Sequence, residues 1–443
     1  MKSNPQKSVT EKERTLPVTG SYDVVVAGSG PAGVGAALAA ARQGAETLLV
    51  ETHGCLGGVW TSGLLSWVID AHNKTGLIAE ISEKLDARSA RVIKGTRFAY
   101  DVEEMKLLLE ELCAEAGVAI RLHTRVAAAH RKGRLLKGIV TESRSGREAF
   151  EGKAFIDCTG DGDLAALAGC SHEYGHPETG KAQPMSLVAL ITGVRAAEIA
   201  PFIGGADRQA KINLHQEFLR AGVTPSYGGP TLFRVRDDFF ALVANHEYNV
   251  SPMNADEVTR ATLRARRELH RLIRALRKLG NPWKDLRIVA TGEQIGIREG
   301  RRIAGRYLVS LEDLLTGARH PDAVCRVTAG IDIHSIDPSH GTQASKDNKI
   351  RTQPYDIPLR ALLAREVDGL MMAGRCISGD FFAHSSYRMT GNAVVMGEAA
   401  GVTAAIAASS QRLPHEVGWP EIARQLHPEP EEVSEGATLA GKA

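Results

Sequence analysis

The chain has 443 residues, and 54 basic against 52 acidic side chains give a formal charge of +2. With 43% hydrophobic and 24% charged residues it has ordinary globular usage, and its length suffices for two or three compact units with real cores. A charge so near balance argues against a polyanionic partner such as nucleic acid, and six scattered cysteines without a Cys-x-x-Cys pair indicate neither a zinc site nor a disulfide scaffold.

The first twenty residues carry Lys2, Lys7, Glu11, Lys12, Glu13 and Arg14 and lack the apolar centre of a secretion signal, so residues 1–20 are expected to be a disordered leader. No apolar run reaches the roughly 18 residues of a membrane span, and a cytoplasmic protein without a membrane partner is expected. The run Asp23-Val-Val-Val-Ala-Gly28-Ser-Gly30-Pro31-Ala32-Gly33 then reads as a strand, a glycine turn and a helix start. Gly28 allows the tight turn, Gly30 lets backbone approach a pyrophosphate, and Gly33 lets the helix pack on its strand. The helix runs on through Arg42, Thr47–Val50 supplies a second strand, and Glu51 is placed to accept both hydroxyls of an adenosine ribose.

A second glycine-rich loop follows, Gly54-Cys55-Leu-Gly57-Gly58-Val-Trp-Thr61-Ser62-Gly63. A nicotinamide enzyme has no need of it, whereas FAD must be cradled beyond its pyrophosphate. Helical spacing returns over 76–85 and 102–112, the latter capped by Asp101. Strands over 118–122, 125–129, 135–140 and 149–156, broken at Lys132-Gly133 and Ser145-Gly146, predict a sheet edge and a small antiparallel insert. From about 176 to 350 the βα alternation is lost and a cap or substrate domain is expected. Within it, Arg260–Lys278 holds seven arginines, but Leu269, Leu272, Ile273 and Leu276 fall at helical spacing, so the arginines read as the wet face of a helix capped by Asn254 and Glu257. Leu370–Gly374 resumes the first domain, and small residues from Ala393 to Ala405 predict a helix with its amino end at Gly391 and Asn392. There N–H groups and the positive dipole end would face the flavin N1 and O2 region.

The expected fold class is therefore α/β: a Rossmann-like FAD-binding domain with a small antiparallel β insert, discontinuous over 21–175 and 351–426, plus an α+β cap or substrate domain over 176–350. Residues 427–443, rich in Pro, Glu and Gly, are expected to be a disordered tail.

These motifs, with Tyr100–Lys106, Phe155-Ile-Asp-Cys-Thr159-Gly160-Asp161-Gly-Asp163, Gln183-Pro-Met-Ser-Leu187, Ile295-Gly-Ile-Arg298-Glu-Gly-Arg301-Arg302 and Ala373-Gly374-Arg375-Cys-Ile-Ser378, give the chain a resemblance. It resembles the FAD-dependent oxidoreductases allied to the fumarate reductase and succinate dehydrogenase flavoproteins, within the glutathione-reductase-like FAD superfamily. The resemblance implies that Val126 meets the adenine through its backbone and that Thr159, Gly160, Asp161 and Gly374 line the cofactor. It also implies that Thr61 and Ser62 pass the flavin ring and that Gly391, Asn392 and Ala393 hold it. Tyr387-Arg388-Met-Thr-Gly391-Asn392-Ala393 is similar to the fumarate reductase pattern in which an arginine clamps a substrate carboxylate, which makes Arg388 a clamp; the bland alternative is an ion pair to Asp380 or Glu299. His384 is a candidate for proton transfer, and one of Arg298, Arg301 and Arg302 is expected to reach the flavin or substrate pocket. Arg375, where those enzymes carry an acid, is expected at the flavin pyrophosphate instead.

Neither a second nucleotide-binding fingerprint nor haem or iron–sulfur spacing follows, so electrons are expected to enter from a small-molecule substrate and leave to an external acceptor. The leading expectation is an FAD-dependent dehydrogenase or oxidase that takes a hydride from a small polar or carboxylated molecule to flavin N5. The alternatives are an enoate reductase running the other way, and a flavin-bearing electron-transfer or RNA-modifying subunit docking through its arginine helix. A homo-oligomer is compatible with all three.

Overall fold

The computed structural model describes residues 9–205, 207–337 and 350–426, so the expected tail and the first eight residues of the expected leader lie outside it. A strand already begins at Val18, because the amide of Ala149 donates to the carbonyl of Pro17 and draws the chain onto the sheet edge.

The main sheet is built around two long strands, Val18–Ala27 and Gly146–Asp157, paired in parallel. Thr47–Val50 and then Ala119–Arg121 extend it in parallel on one side. Val24–Ala27 and Thr47–Val50 are buried on both faces, which is why these runs are uniformly apolar apart from Thr47 instead of alternating. The Gly146–Asp157 strand serves two partners in succession. Its amino half pairs antiparallel with Leu135–Ser143, which continues to Arg125–Lys132, while its carboxyl half, Phe155–Asp157, pairs in parallel with Leu370–Met372. The late strand thereby returns to the first sheet.

Two helices lie against each other on this sheet, Pro31–Arg42 and Thr390–Ser409. The second has the length and composition of a membrane span, contrary to the sequence expectation, yet 83% of its most apolar stretch is buried inside the protein. It is apolar because it is a core helix.

A second, antiparallel sheet runs in the order Thr231–Arg236, Phe239–Val243, Val188–Thr192, Arg287–Thr291. Its own hydrophobic core, including Ile191, Phe218, Phe240, Leu269, Leu272 and Trp283, is closed by the helices Arg208–Arg220 and Ala255–Arg277. Leu269, Leu272, Ile273 and Leu276 are buried as their spacing required, and Asn254 accepts from the amides of Asp256 and Glu257 at the helix start. The arginines of this helix lie outward, with Arg264 paired to Glu247 at 2.8 Å.

Candidate active site

The three glycines of the first turn do three different jobs. Gly28 has φ 89° and a Cβ there would strike the Cys158 carbonyl at 2.7 Å; a Cβ on Gly33 would lie 1.8 Å from the Gly28 carbonyl oxygen. A Cβ on Gly30 would meet nothing within 4 Å. The first and third glycines are thus demanded by the protein's own backbone, whereas Gly30 faces space, at the amino end of the Pro31-Ala32-Gly33 helix where N–H groups and dipole favour phosphate. Gly57, at φ 105°, and Gly58 fold back over this opening, the latter with its Cβ position 2.9 Å from the Gly30 Cα.

Glu51 ends the second strand, and its carboxylate accepts from the Ser29 amide at 2.8 Å, the Ser29 hydroxyl at 2.6 Å and the His53 amide at 2.8 Å. On the opposite wall the Thr159 amide and hydroxyl are bonded to Asp157, and Arg375 lies over Gly160 with its guanidinium 3.1 Å from Asp161. Burial, opposed by Arg375, raises the Asp161 carboxyl. Gly374 turns at φ 87° with Ala32 and Ala393 on either side. Val126 pairs with Thr141 at the start of the insert. Gly28, Glu51, Thr159 and Gly374 each follow the carboxyl end of a parallel strand, the edge where open α/β sheets hold ligands.

Beyond this edge, the Thr61 hydroxyl donates to the Leu56 carbonyl, and Cys55 Sγ lies 3.4 Å from the Ser62 hydroxyl. The Ser62 carbonyl accepts from the amides of Glu293 and Gln294, which brings the Ile295–Arg302 segment to the same end. The final helix also starts here, at Thr390. The Gly391 N–H donates to the Ile69 carbonyl at 3.3 Å, and a Cβ at Gly391 would be 2.3 Å from the Asp70 carbonyl oxygen, so this glycine allows close backbone packing. Asn392 turns its side chain inward, accepting from Cys325 Sγ and donating to the Tyr387 carbonyl, both at 3.5 Å.

The three arginines of the Ile295 motif diverge. Arg302 is buried, bonded to Glu299 at 2.7 Å and to the carbonyls of Gly175 and Gly379, a structural tie. Arg301 reaches the Asp161 carbonyl and Asp163. Arg298 points to the other side, donating to the Pro184 carbonyl and to the Ser186 hydroxyl at 3.0 Å. Among the described residues no carboxylate lies within ion-pair reach of it, and burial with Arg388 nearby pushes its pKa down to about 10.

Arg388 does form an ion pair, but with neither Asp380 nor Glu299. Asp380 is occupied capping the Phe381–Tyr387 helix and accepting from the Leu311 amide, and Glu299 belongs to Arg302. Arg388 instead donates to the Asp332 carbonyl at 2.8 Å and approaches its carboxylate at 3.5 Å. His384 lies one turn before Arg388 on that helix, fully buried, with neither ring nitrogen bonded to any described residue. Burial, and then Arg302, Arg388 and Arg375, hold it well below the usual histidine range, so it is neutral. A buried imidazole with two orphaned nitrogens is costly unless a ligand satisfies it.

Five residues at this end escaped sequence reasoning: Tyr227, His246, Tyr248, Asp332 and His334. The His334 ring approaches His246 at 3.2 Å, His246 approaches the Tyr248 hydroxyl at 3.2 Å, and Tyr227 stacks on His246 with centroids 4.1 Å apart. Gln183 ties the group to the Phe381–Tyr387 helix, accepting from the His334 amide and donating to the Ser385 hydroxyl. The available signal was Asp332-Ile-His334, whose alternate residues share a side of an extended segment.

With the geometry in hand, comparison with known proteins is decisive at the family level: the sequence pattern of the FAD dependent oxidoreductase family matches residues 23–426. The chain belongs to that family. Its cofactor is FAD. Solved structures similar to this FAD-dependent oxidoreductase include a geranylgeranyl bacteriochlorophyll reductase-like protein from Thermoplasma acidophilum, 15% identical, covering 91% of this chain and 82% of that one, TM-score 0.48. The flavin-dependent brominase Bmp2 is 13% identical over 88% and 80%, TM-score 0.46. The myxobacterial chondrochloren halogenase CndH is 12% identical over 92% and 65%, TM-score 0.45.

Proposed function

We propose that this enzyme transfers a hydride between a small carboxylated substrate and flavin N5, with an external molecule as the other electron partner. In this reading Gly28, Gly30, Pro31, Ala32, Gly33, Gly57, Gly58, Thr159, Gly160, Asp161, Gly374 and Arg375 hold the pyrophosphate and ribityl stretch, Glu51 the adenosine ribose and Val126 the adenine. Thr61, Ser62, Asn392 and Ala393 border the ring. Bound FAD supplies a two-electron acceptor that takes up a hydride.

The observation that carries the proposal is the imbalance of charge at the ring end. Among the described residues, Arg298 and Arg388 have one carboxylate near them, Asp332, and it is engaged by Arg388. A partly buried guanidinium without a counterion is unfavourable, and a substrate carboxylate relieves it with charge-assisted hydrogen bonds. His384, neutral beside Arg388, is placed to bond the substrate or exchange its proton. The test is a screen of carboxylic acids against purified yellow protein under anaerobic conditions, read as bleaching of the oxidised flavin band.

The same arginines serve the reverse reaction, reduction of a C=C bond conjugated to a carboxylate as the likeness to fumarate reductase suggests. Viologen-reduced enzyme that is reoxidised by enoates, with no bleaching by saturated acids, would favour that direction. The arginine helix as a docking face is the weaker reading, because its apolar stripe is fully used within its own core. Reversing charge at Arg267 and Arg274 should leave flavin content and bleaching unchanged.

A further inference from the structure

Tyr248, His246, His334 and Asp332 form an unbroken line of four titratable side chains: Tyr248 Oη to His246 Nδ1 at 3.2 Å, His246 Nε2 to His334 Nδ1 at 3.2 Å, and His334 Nε2 to Asp332 at 3.5 Å. His246 is 5% exposed and the His334 side chain 16%, while the Asp332 side chain is 51% exposed and Tyr248 half-buried. The line is also held from outside. Glu268 of the long arginine helix accepts from the amide and hydroxyl of Ser226, that hydroxyl accepts from the His246 amide, and Tyr227 covers the His246 ring. Asn245 is bonded to both backbone groups of Leu187, fixing the strand end that carries His246.

The hydrogen-bond directions follow from the Asp332 end. Arg388 at 3.5 Å, with Arg298, holds the half-exposed Asp332 carboxyl below the usual range and ionised, so it only accepts. Facing it, His334 must carry its proton on Nε2, which leaves Nδ1 to accept from His246 Nε2–H. His246 Nδ1 is then bare and accepts from the Tyr248 hydroxyl. The opposite set, in which Tyr248 donates to the Ser226 carbonyl at 3.4 Å, would aim a bare His334 nitrogen at the carboxylate. The groups facing the line are cationic or neutral on the substrate side (Arg298, Arg388, Tyr227) and include Lys211, Glu268 and Asp337 around its ends.

We propose that this line is a proton relay joining solvent at Tyr248 to the Arg298–Arg388 site at Asp332. It deepens the hydride-transfer reading, on which its use depends, since every hydride moved to or from a carboxylated substrate leaves one exchangeable proton to be balanced. In the resting arrangement a proton entering at Tyr248 displaces the hydroxyl proton to His246, the His246 proton to His334, and the His334 proton to Asp332. One O–H or N–H bond breaks for each that forms. After one passage every donor points outward, and the line returns a proton from substrate to solvent. The histidines act here as relay members, and Tyr227 and Glu268 as positioning residues.

The test uses full-length FAD-loaded enzyme with nitrogen-15 histidine, assigned through His246→Gln and His334→Gln. Both rings should show Nε2–H and pyridine-type Nδ1, and the buried His246 Nε2–H should exchange with water several-fold more slowly in Tyr248→Phe, which cuts the outer entry. Asp332→Asn should release the His334 tautomer. Faster exchange in Tyr248→Phe marks a static network opened by the mutation and overturns the relay, as does a wild-type His334 protonated on Nδ1. A parallel titration with acetate, read as a flavin spectral shift, addresses the arginine site alone. Its failure with intact tautomers would sink the substrate reading while leaving the relay standing.

Discussion

A Cβ on Gly397 would lie 2.0 Å from the carbonyl oxygen of Ala32, so the final helix meets the first one backbone to backbone. Gly401 against the Ala36 carbonyl at 2.2 Å and Gly35 against the Val394 carbonyl at 2.6 Å repeat the contact along both helices. This close approach ties the phosphate turn, near residue 30, to the ring end, near residue 391. Gly397→Val should therefore cost about 3 kcal/mol or more by overpacking, checked by urea unfolding, with flavin content falling in parallel.

Gly30→Ala should behave in the opposite way. Its backbone sits at φ −60°, open to any residue, and the added Cβ meets only space in the protein itself. Stability without flavin should change by no more than about 0.5 kcal/mol, whereas FAD affinity falls, measured as the flavin-to-protein ratio after dialysis. Glu51→Arg should also give protein that loses its flavin; Glu51→Gln, keeping acceptor capacity for the Ser29 and His53 donors, should retain more.

Arg298→Gln should weaken acetate binding about 30-fold, the loss of roughly 2 kcal/mol for a hydrogen bond to a charged partner. Flavin content should be unchanged, because among the described residues Arg298 bonds Pro184 and Ser186 alone. Flavin fluorescence titration checks both outcomes.

Glu398 predicts a pH signature. Burial pushes its carboxyl up to about 7, from 4.5, despite the Leu77 amide pointing at it. Between these values the folded state holds a proton that the unfolded chain has released, so the group's stabilising contribution is full below about pH 4.5 and declines until pH passes about 7. Glu398→Gln should remove this decline and be more stable than wild type at pH 8 by about 1–3 kcal/mol, read from urea unfolding across the pH range.

The glycine turn was legible because Gly28 and Gly33 are required by turn and packing geometry, and Glu51 because it stands at a strand end. The capped arginine helix was legible for the same local reason, its apolar spacing. The substrate end was not. His246 and His334 meet across 88 residues of chain, and Asp332 takes Arg388 from the partners that sequence proximity suggested. No local periodicity records such contacts, since each is made by an extended segment placed by tertiary packing. Likewise, the Thr390–Ser409 helix shows that an apolar run of membrane length is decided by what covers it.

The central claim is that Arg298 and Arg388 hold a carboxylate for hydride transfer. The most direct measurement compares anaerobic flavin bleaching by 2-hydroxy and 2-amino acids with bleaching by their methyl esters. The account predicts bleaching by at least one free acid, suppressed for its ester and in Arg298→Gln. Equal bleaching by acid and ester, with Arg298→Gln indistinguishable from wild type, would contradict it.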